Sequence, residues 1–206
     1  MAQGELKINL MTDLKNKQKK RIIIAATGAS GMPILAKCLE LIRKDSGFES
    51  ILIMSDSAKI TLSQETDYTV KDMEALADMV FNPGEIGAGP ASGSFKTCGM
   101  LIVPCSMKTI AGIASGYADN LILRSADVTI KEGRPLVLAA RESPLSSIHL
   151  RNMHELSMIP QVKIVPPVMT FYNKPKSIDD MIYHISAKLL EPFGIEAEDY
   201  KRWQGL

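Results

Sequence analysis

Arg21-Ile-Ile-Ile-Ala-Ala-Thr27-Gly28-Ala29-Ser30-Gly31-Met32-Pro33 decides the fold. An apolar, β-branched run stops at a turn of glycines and hydroxyl residues, and an amphipathic stretch, Ile34 to Arg43, follows at once. Strand, tight turn and helix in that order bring backbone N–H groups and Ser/Thr hydroxyls to a helix N-terminus, where the macrodipole favours an anion. The turn is therefore expected to bind phosphate. Ser30 stands where the third position of G-x-G-x-x-G takes Gly, which weakens a dinucleotide reading and favours a mononucleotide or a smaller phosphate ester.

Outward from this turn, apolar strand-like runs recur at Ile22–Ala26, Ser50–Met54, Met100–Pro104, Pro135–Ala140 and Val162–Val165. Helical patterns fall between and after them, at Ile34–Lys44, Ser57–Gln64, Lys71–Ala77, Ile110–Ser115, Asn120–Glu132, Ser146–Met158 and Ile178–Leu190. Strands alternating with helices predict an α/β fold: three layers around a mostly parallel, doubly wound sheet of Rossmann-like or flavodoxin-like type, in a single domain. Unbroken apolar runs are what strands buried on both faces look like. The Gly/Pro/Ser-rich stretch Asn82 to Ser94 reads as a long loop, either plain surface or a carrier of ligand contacts.

Composition narrows the function classes. The 206 residues suffice for one substantial core, and a formal net charge of +1 gives no electrostatic case for a nucleic-acid or membrane partner. Three cysteines without CxxC spacing fit a reducing cytoplasm better than a disulfide framework. Residues 1–20 are polar and Lys-rich, and are expected to form a flexible extension or an arm on a neighbouring subunit, with the domain proper over 21–206. His149 and His154 are five apart and do not share a helical face, so no metal site is expected.

In a doubly wound sheet, ligands gather outside the carboxyl ends of the strands. Those ends carry Thr27-Gly28-Ala29-Ser30, Ser55-Asp56-Ser57, Cys105-Ser106-Met107-Lys108-Thr109, Arg141-Glu142 and Phe171-Tyr172. Ser106 repeats the logic of the opening turn, although an ordinary N-cap accounts for it equally well. Arg141-Glu142 is either a structural ion pair or a phosphate-gripping cation beside a proton-handling acid. Lys131 closes a predicted helix, where the dipole favours a cation in any case. Cys105 has no base placed beside it and reads as a small buried thiol. The lone Trp203 either packs on the domain or covers a site or subunit contact.

Thr-Gly-Ala-Ser-Gly (27–31), Ser-Gly-Ser-Phe (92–95), Pro-Cys-Ser-Met-Lys-Thr (104–109), Lys-Glu-Gly-Arg-Pro-Leu (131–136), Arg-Glu-x-Pro-Leu (141–145), Phe-Tyr-Asn (171–173) and Arg-Trp-Gln-Gly (202–205) together resemble the UbiX-type flavin prenyltransferases. That group includes the small components of phenolic-acid and hydroxyarylic-acid decarboxylase systems. The resemblance implies an FMN-binding domain in a homo-oligomer, often a dodecamer. Its implied activity moves a dimethylallyl group from dimethylallyl monophosphate to N5 and C6 of reduced FMN, without metal. The prenylated FMN then serves a partner decarboxylase of the UbiD type.

Carried over by motif, Gly28, Ala29, Ser30, Ser55, Ser106, Met107, Lys108, Thr109 and Arg141 would line FMN, with Ser30 near N5. Lys131, Arg141, Tyr172 and Lys188 would hold the prenyl phosphate. Glu142 would handle protons, and Glu65 would support the charge network. Lys188 departs from the Arg of many family members, and the Asn82–Pro90 loop lacks an aromatic that some relatives have. Two alternatives remain at this level. Pro90-Ala91-Ser92 resembles part of the motif of flavoproteins that decarboxylate a cysteine, and a non-catalytic flavin-carrying subunit would keep the same fold.

Overall fold

Lys20–Ala26 form β1, and its residues divide by parity. Ile22, Ile24 and Ala26 point into one apolar layer, whereas Ile23 and Ala25 point into the other. Successive side chains of a strand face opposite sides, so a run apolar at both parities must be covered twice. The chain obeys. In the computed structural model, which describes residues 19–205, a six-stranded, all-parallel sheet lies between two helical layers. Of the extension expected over residues 1–20, all but Lys19 and Lys20 lie outside the described residues, and Lys20 already opens β1.

The elements follow the expected alternation. After β1 come α1 (Met32–Lys44), β2 (Phe48–Met54), α2 (Asp56–Glu65), α3 (Val70–Glu74) and β3 (Met79–Phe81). Then come β4 (Gly99–Cys105), α4 (Met107–Ala114), α5 (Leu121–Lys131), β5 (Leu136–Ala140), α6 (Ser147–Ser157), β6 (Val162–Ile164) and α7 (Ile178–Leu190). The sheet order is β3-β2-β1-β4-β5-β6. This is the Rossmann variant of the doubly wound sheet rather than the flavodoxin order, and the winding reverses between β1 and β4. The edge strand β3 is absent from the sequence reading, because three residues of which Val80 is exposed leave too short a pattern.

Helix α1 shows how the layers hold. Met32, Leu35, Leu39 and Ile42 are wholly buried at helical spacing, and they pack with Leu189, Leu190 and Phe193 beyond β1. Each such side chain contributes roughly 1.5–3 kcal/mol relative to exposure. On the opposite face, Ile110, Leu121, Ala126 and Leu156 of α4, α5 and α6 cover Ile102 and Leu138.

The Asn82–Ser94 loop leaves β3 at the carboxyl edge of the sheet and must reach the start of β4 at the amino edge. It is tied to the start of α5 by Leu121 N–H donating to Pro83 O, and near the end of α5 by Arg134 donating to Gly93 O and Phe95 O. Only its beginning therefore lies among the strand ends where ligands gather.

Candidate active site

The first turn of α1 narrows where a phosphate could meet the Thr27–Gly31 turn. Glu65, at the end of α2, accepts from Gly31 N–H at 2.8 Å and Met32 N–H at 2.9 Å through one carboxylate oxygen. Pro33 has no N–H, and Ile34 N–H is already paired with Gly31 O. The N–H donors of the helix's first turn are therefore taken by the chain's own carboxylate, whereas the N–H groups of Gly28 and Ser30, in the turn before it, have no intramolecular partner among the described residues. Burial pushes the Glu65 carboxyl up. The Ser30 hydroxyl, the two N–H groups and the Arg141 charge together outweigh it and hold the pKa below its ordinary value. Ser30, Glu65 and Arg141 thus form one charge network.

Close approach fixes the turn's composition. A Cβ on Gly28 would lie 2.5 Å from the Ser57 Cβ, and Gly31 has φ +135° with Pro104 behind it. Thr27 joins the two strands at the reversal: its hydroxyl donates to Pro104 O and accepts from Ser106 N–H. These contacts leave Gly28 exposed and Ser30 half-buried at the mouth of the crevice between β1 and β4.

Two other helix starts open on the same carboxyl edge. Ser55 caps α2 by accepting from Ala58 N–H, and Ser106 caps α4 by accepting from Thr109 N–H. The α2 start carries Asp56, which disfavours an anion, whereas α4 has no acid in its first turn. Among the described residues, the N–H groups of Met107 and Lys108 have no intramolecular partner. Here lies a donor pair at a helix's first turn, which α1 lacks. Met107 and Thr109 are themselves buried, and the Lys108 side chain lines a groove between α4 and α6 with Arg151 and Glu155. Arg141 and Glu142 follow β5 and are exposed, with Glu142 accepting from Ser143 N–H. Small residues at the reversal, N–H donors at α4 and a cation after β5 make a donor set suited to a phosphate ester.

Tyr172 and Lys188 come together beside β6. They line a pocket of about 180 Å³ with Val165, Thr170, His184 and Tyr200. Lys188 pairs with Glu191 at 2.6 Å, and Arg202 reaches the same carboxylate. Trp203 meets the Tyr172 ring edge-on at 5.6 Å, so the C-terminal tail covers this pocket. His184 and Tyr200 are the residues the sequence reading missed. A lone His and a tail Tyr carry no spacing signal, and only the fold of the tail onto α7 brings them to Tyr172.

Lys131 lies elsewhere. It ends α5, the helix that feeds the start of β5, and so sits at the amino edge of the sheet. It donates to Glu132 at 2.8 Å, and its ammonium lies against Gly93. Arg141 follows the far end of β5, roughly 16 Å away along a five-residue strand. Lys131 therefore does not meet Arg141, Tyr172 or Lys188 within one chain. The remaining candidates resolve simply. His149 is a capping residue of α6, bonded to Ser146 N–H. Cys105 is fully buried, and burial pushes its thiol far up, away from nucleophilic use. Among the described residues no cluster of His, Cys, Asp and Glu could hold a metal ion, and no helix is long and apolar enough to cross a membrane.

Comparison with known proteins bears on this arrangement. Residues 10–190 match the family model described as Flavoprotein. The chain is 49% identical over 186 residues, 90% of its length and 94% of the relative, to a probable UbiX-like flavin prenyltransferase of Escherichia coli O157:H7. It superposes at a TM-score of 0.88 and 49% identity on a dodecameric FMN-dependent UbiX-like decarboxylase of that organism, covering 90% of this chain and all of that one. AnUbiX in complex with FMN and dimethylallyl pyrophosphate gives a TM-score of 0.89 at 46% identity, covering 92% of this chain and all of that one. With identity near one half across nine-tenths of the sequence, the chain belongs to the Flavoprotein family and, within it, to the UbiX-like flavin prenyltransferases.

Proposed function

We propose that this chain transfers a dimethylallyl group from dimethylallyl monophosphate to N5 and C6 of reduced FMN. The observation that carries the reading is the Ser30–Glu65–Arg141 network beside α4 donors unpaired among the described residues at the sheet's reversal, in a chain 49% identical to a probable UbiX-like flavin prenyltransferase. The reduced flavin, when bound, supplies the nucleophilic ring that receives the five-carbon chain. Gly28, Ala29, Ser30 and Ser55 hold its ring system, and Ser106, Met107, Lys108 and Thr109 hold its phosphate end at the start of α4. Ser30, fixed through Glu65, would stand beside the flavin ring near N5.

Breaking the allylic C–O bond leaves phosphate with the electron pair. Lys131, Arg141, Lys188 and the Tyr172 hydroxyl stabilise that developing charge. Side-chain cations do the work that a metal does in other phosphate esters, so turnover is expected to persist in chelator. Glu142 delivers a proton to the departing phosphate and takes one back on ring closure. Because Lys131 and Arg141 occupy opposite edges of one sheet, the complete site joins the amino edge of one copy to the carboxyl edge of another. The assembly is a homo-oligomer, a dodecamer by analogy with the E. coli relative, and its product passes to a partner decarboxylase of the UbiD type.

The test is stoichiometric. Under anaerobic conditions the protein should release inorganic phosphate from dimethylallyl monophosphate only when reduced FMN is present, and should do so equally well with EDTA. Phosphate release without flavin, or its loss on chelation, contradicts the reading.

A further inference from the structure

Tyr172 and His184 make a contact whose polarity matters. The Tyr172 hydroxyl lies 3.2 Å from His184 Nε2, and the two rings meet edge-on at 5.6 Å. His184 is 6% exposed, with Tyr200 against its other side at 4.9 Å between ring centroids. Burial first, and the Lys188 charge second, hold the imidazole below its ordinary pKa. It is therefore neutral at neutral pH and carries a single N–H.

That single proton has two possible places. With Nε2 bare, the imidazole accepts the phenolic proton, and Tyr172 offers only lone pairs to anything bound in the pocket. With Nε2 protonated, His184 donates to the Tyr172 oxygen and the phenolic proton is free. Only the second arrangement lets Tyr172 donate to a phosphate oxygen. The pocket supplies an independent sign that a polar ligand belongs there: Thr170 Oγ1, on the same wall, is buried without a hydrogen-bond partner among the described residues.

Resting on the reading of Tyr172 and Lys188 as phosphate ligands, we propose that His184 is a positioning residue for prenyl transfer. As the Nε2–H tautomer it donates to the Tyr172 oxygen and turns the phenolic proton toward the phosphate of the prenyl donor. The role is one of substrate binding and does not include proton transfer.

Calorimetric titration of the oligomer loaded with oxidised FMN, which does not turn over, measures the Kd for dimethylallyl monophosphate directly. His184→Phe keeps the ring volume and removes the N–H; it should weaken binding about three- to tenfold, the worth of one neutral hydrogen bond. His184→Gln restores an amide N–H of similar reach and should recover most of that loss. In a Tyr172→Phe background, His184→Phe should cost nothing further, while FMN affinity and Tm stay close to the parent's. The proposal is overturned if His184→Phe costs as much with Tyr172→Phe as without it, or if it costs nothing while Tyr172→Phe alone weakens binding. Should Tyr172→Phe itself leave the Kd unchanged, the phosphate role of Tyr172 falls, and this inference falls with it.

Discussion

Glu65 holds the α1 N-terminus through two N–H donors, and the pH dependence of stability should report it. Its pKa in the folded chain lies below the ordinary 4.5. A carboxyl shifted in that direction stabilises the fold fully above its unfolded pKa, and the contribution is lost as pH falls through the folded value. Glu65→Gln should therefore flatten the loss of stability below about pH 4.5 relative to the parent. Glu65→Ala should lower stability at pH 7 by about 1 kcal/mol, as other lost caps do. Urea melts between pH 3 and 7 measure both, and an unchanged acid limb for Glu65→Gln would remove the carboxylate from the cap. Glu142 makes the contrasting case, an exposed acid with one local bond. Glu142→Gln should keep FMN bound yet slow prenyl transfer on the order of 10²-fold or more, and a full rate refutes its proton role. Ser30 and Arg141 were legible as candidate residues because they follow the ends of apolar strands. That Glu65 fills the helix start was not, since it depends on α2 folding back across α1, 34 residues away in sequence.

Among the elements, α1 and β1 carry the most. Leu39 is fully buried in α1 between the sheet and α7, so Leu39→Ala should cost about 2–5 kcal/mol in chemical denaturation through transfer and cavity terms. A cost below about 1 kcal/mol would mean that the layer collapses freely around the gap. Gly28→Ala should be felt locally instead. The added Cβ meets the Ser57 Cβ at 2.5 Å, pushes the start of α2 away, and weakens FMN binding more than it lowers Tm. Five strands and all seven α-helices of the described residues were readable from period and length, and α7 was bounded to the residue. The exception, β3, has three residues at an edge and too little burial to leave a pattern. The course of the 82–94 loop was equally hidden, because its anchors on Leu121 and Arg134 are tertiary bonds.

At the scale of the whole molecule, the candidate residues fall on two edges. Lys131 and Gly93 belong to the amino edge, while Ser30, Arg141, Glu142, Tyr172 and Lys188 belong to the carboxyl edge. Motifs mark the candidate residues but not their separation, which under the proposed function requires another copy to unite them. Lys131→Ala and Glu142→Ala should each be inactive alone. Co-assembled in one oligomer, they should regain activity wherever intact edges meet, and mixed oligomers that stay dead would argue for a site within one chain. All of this depends on prenyl transfer to the flavin. The decisive experiment is anaerobic incubation of the purified protein with reduced FMN and dimethylallyl monophosphate, followed by mass spectrometry of the released flavin. FMN heavier by one five-carbon prenyl unit is the expected product, and an unchanged FMN mass rules the transfer out.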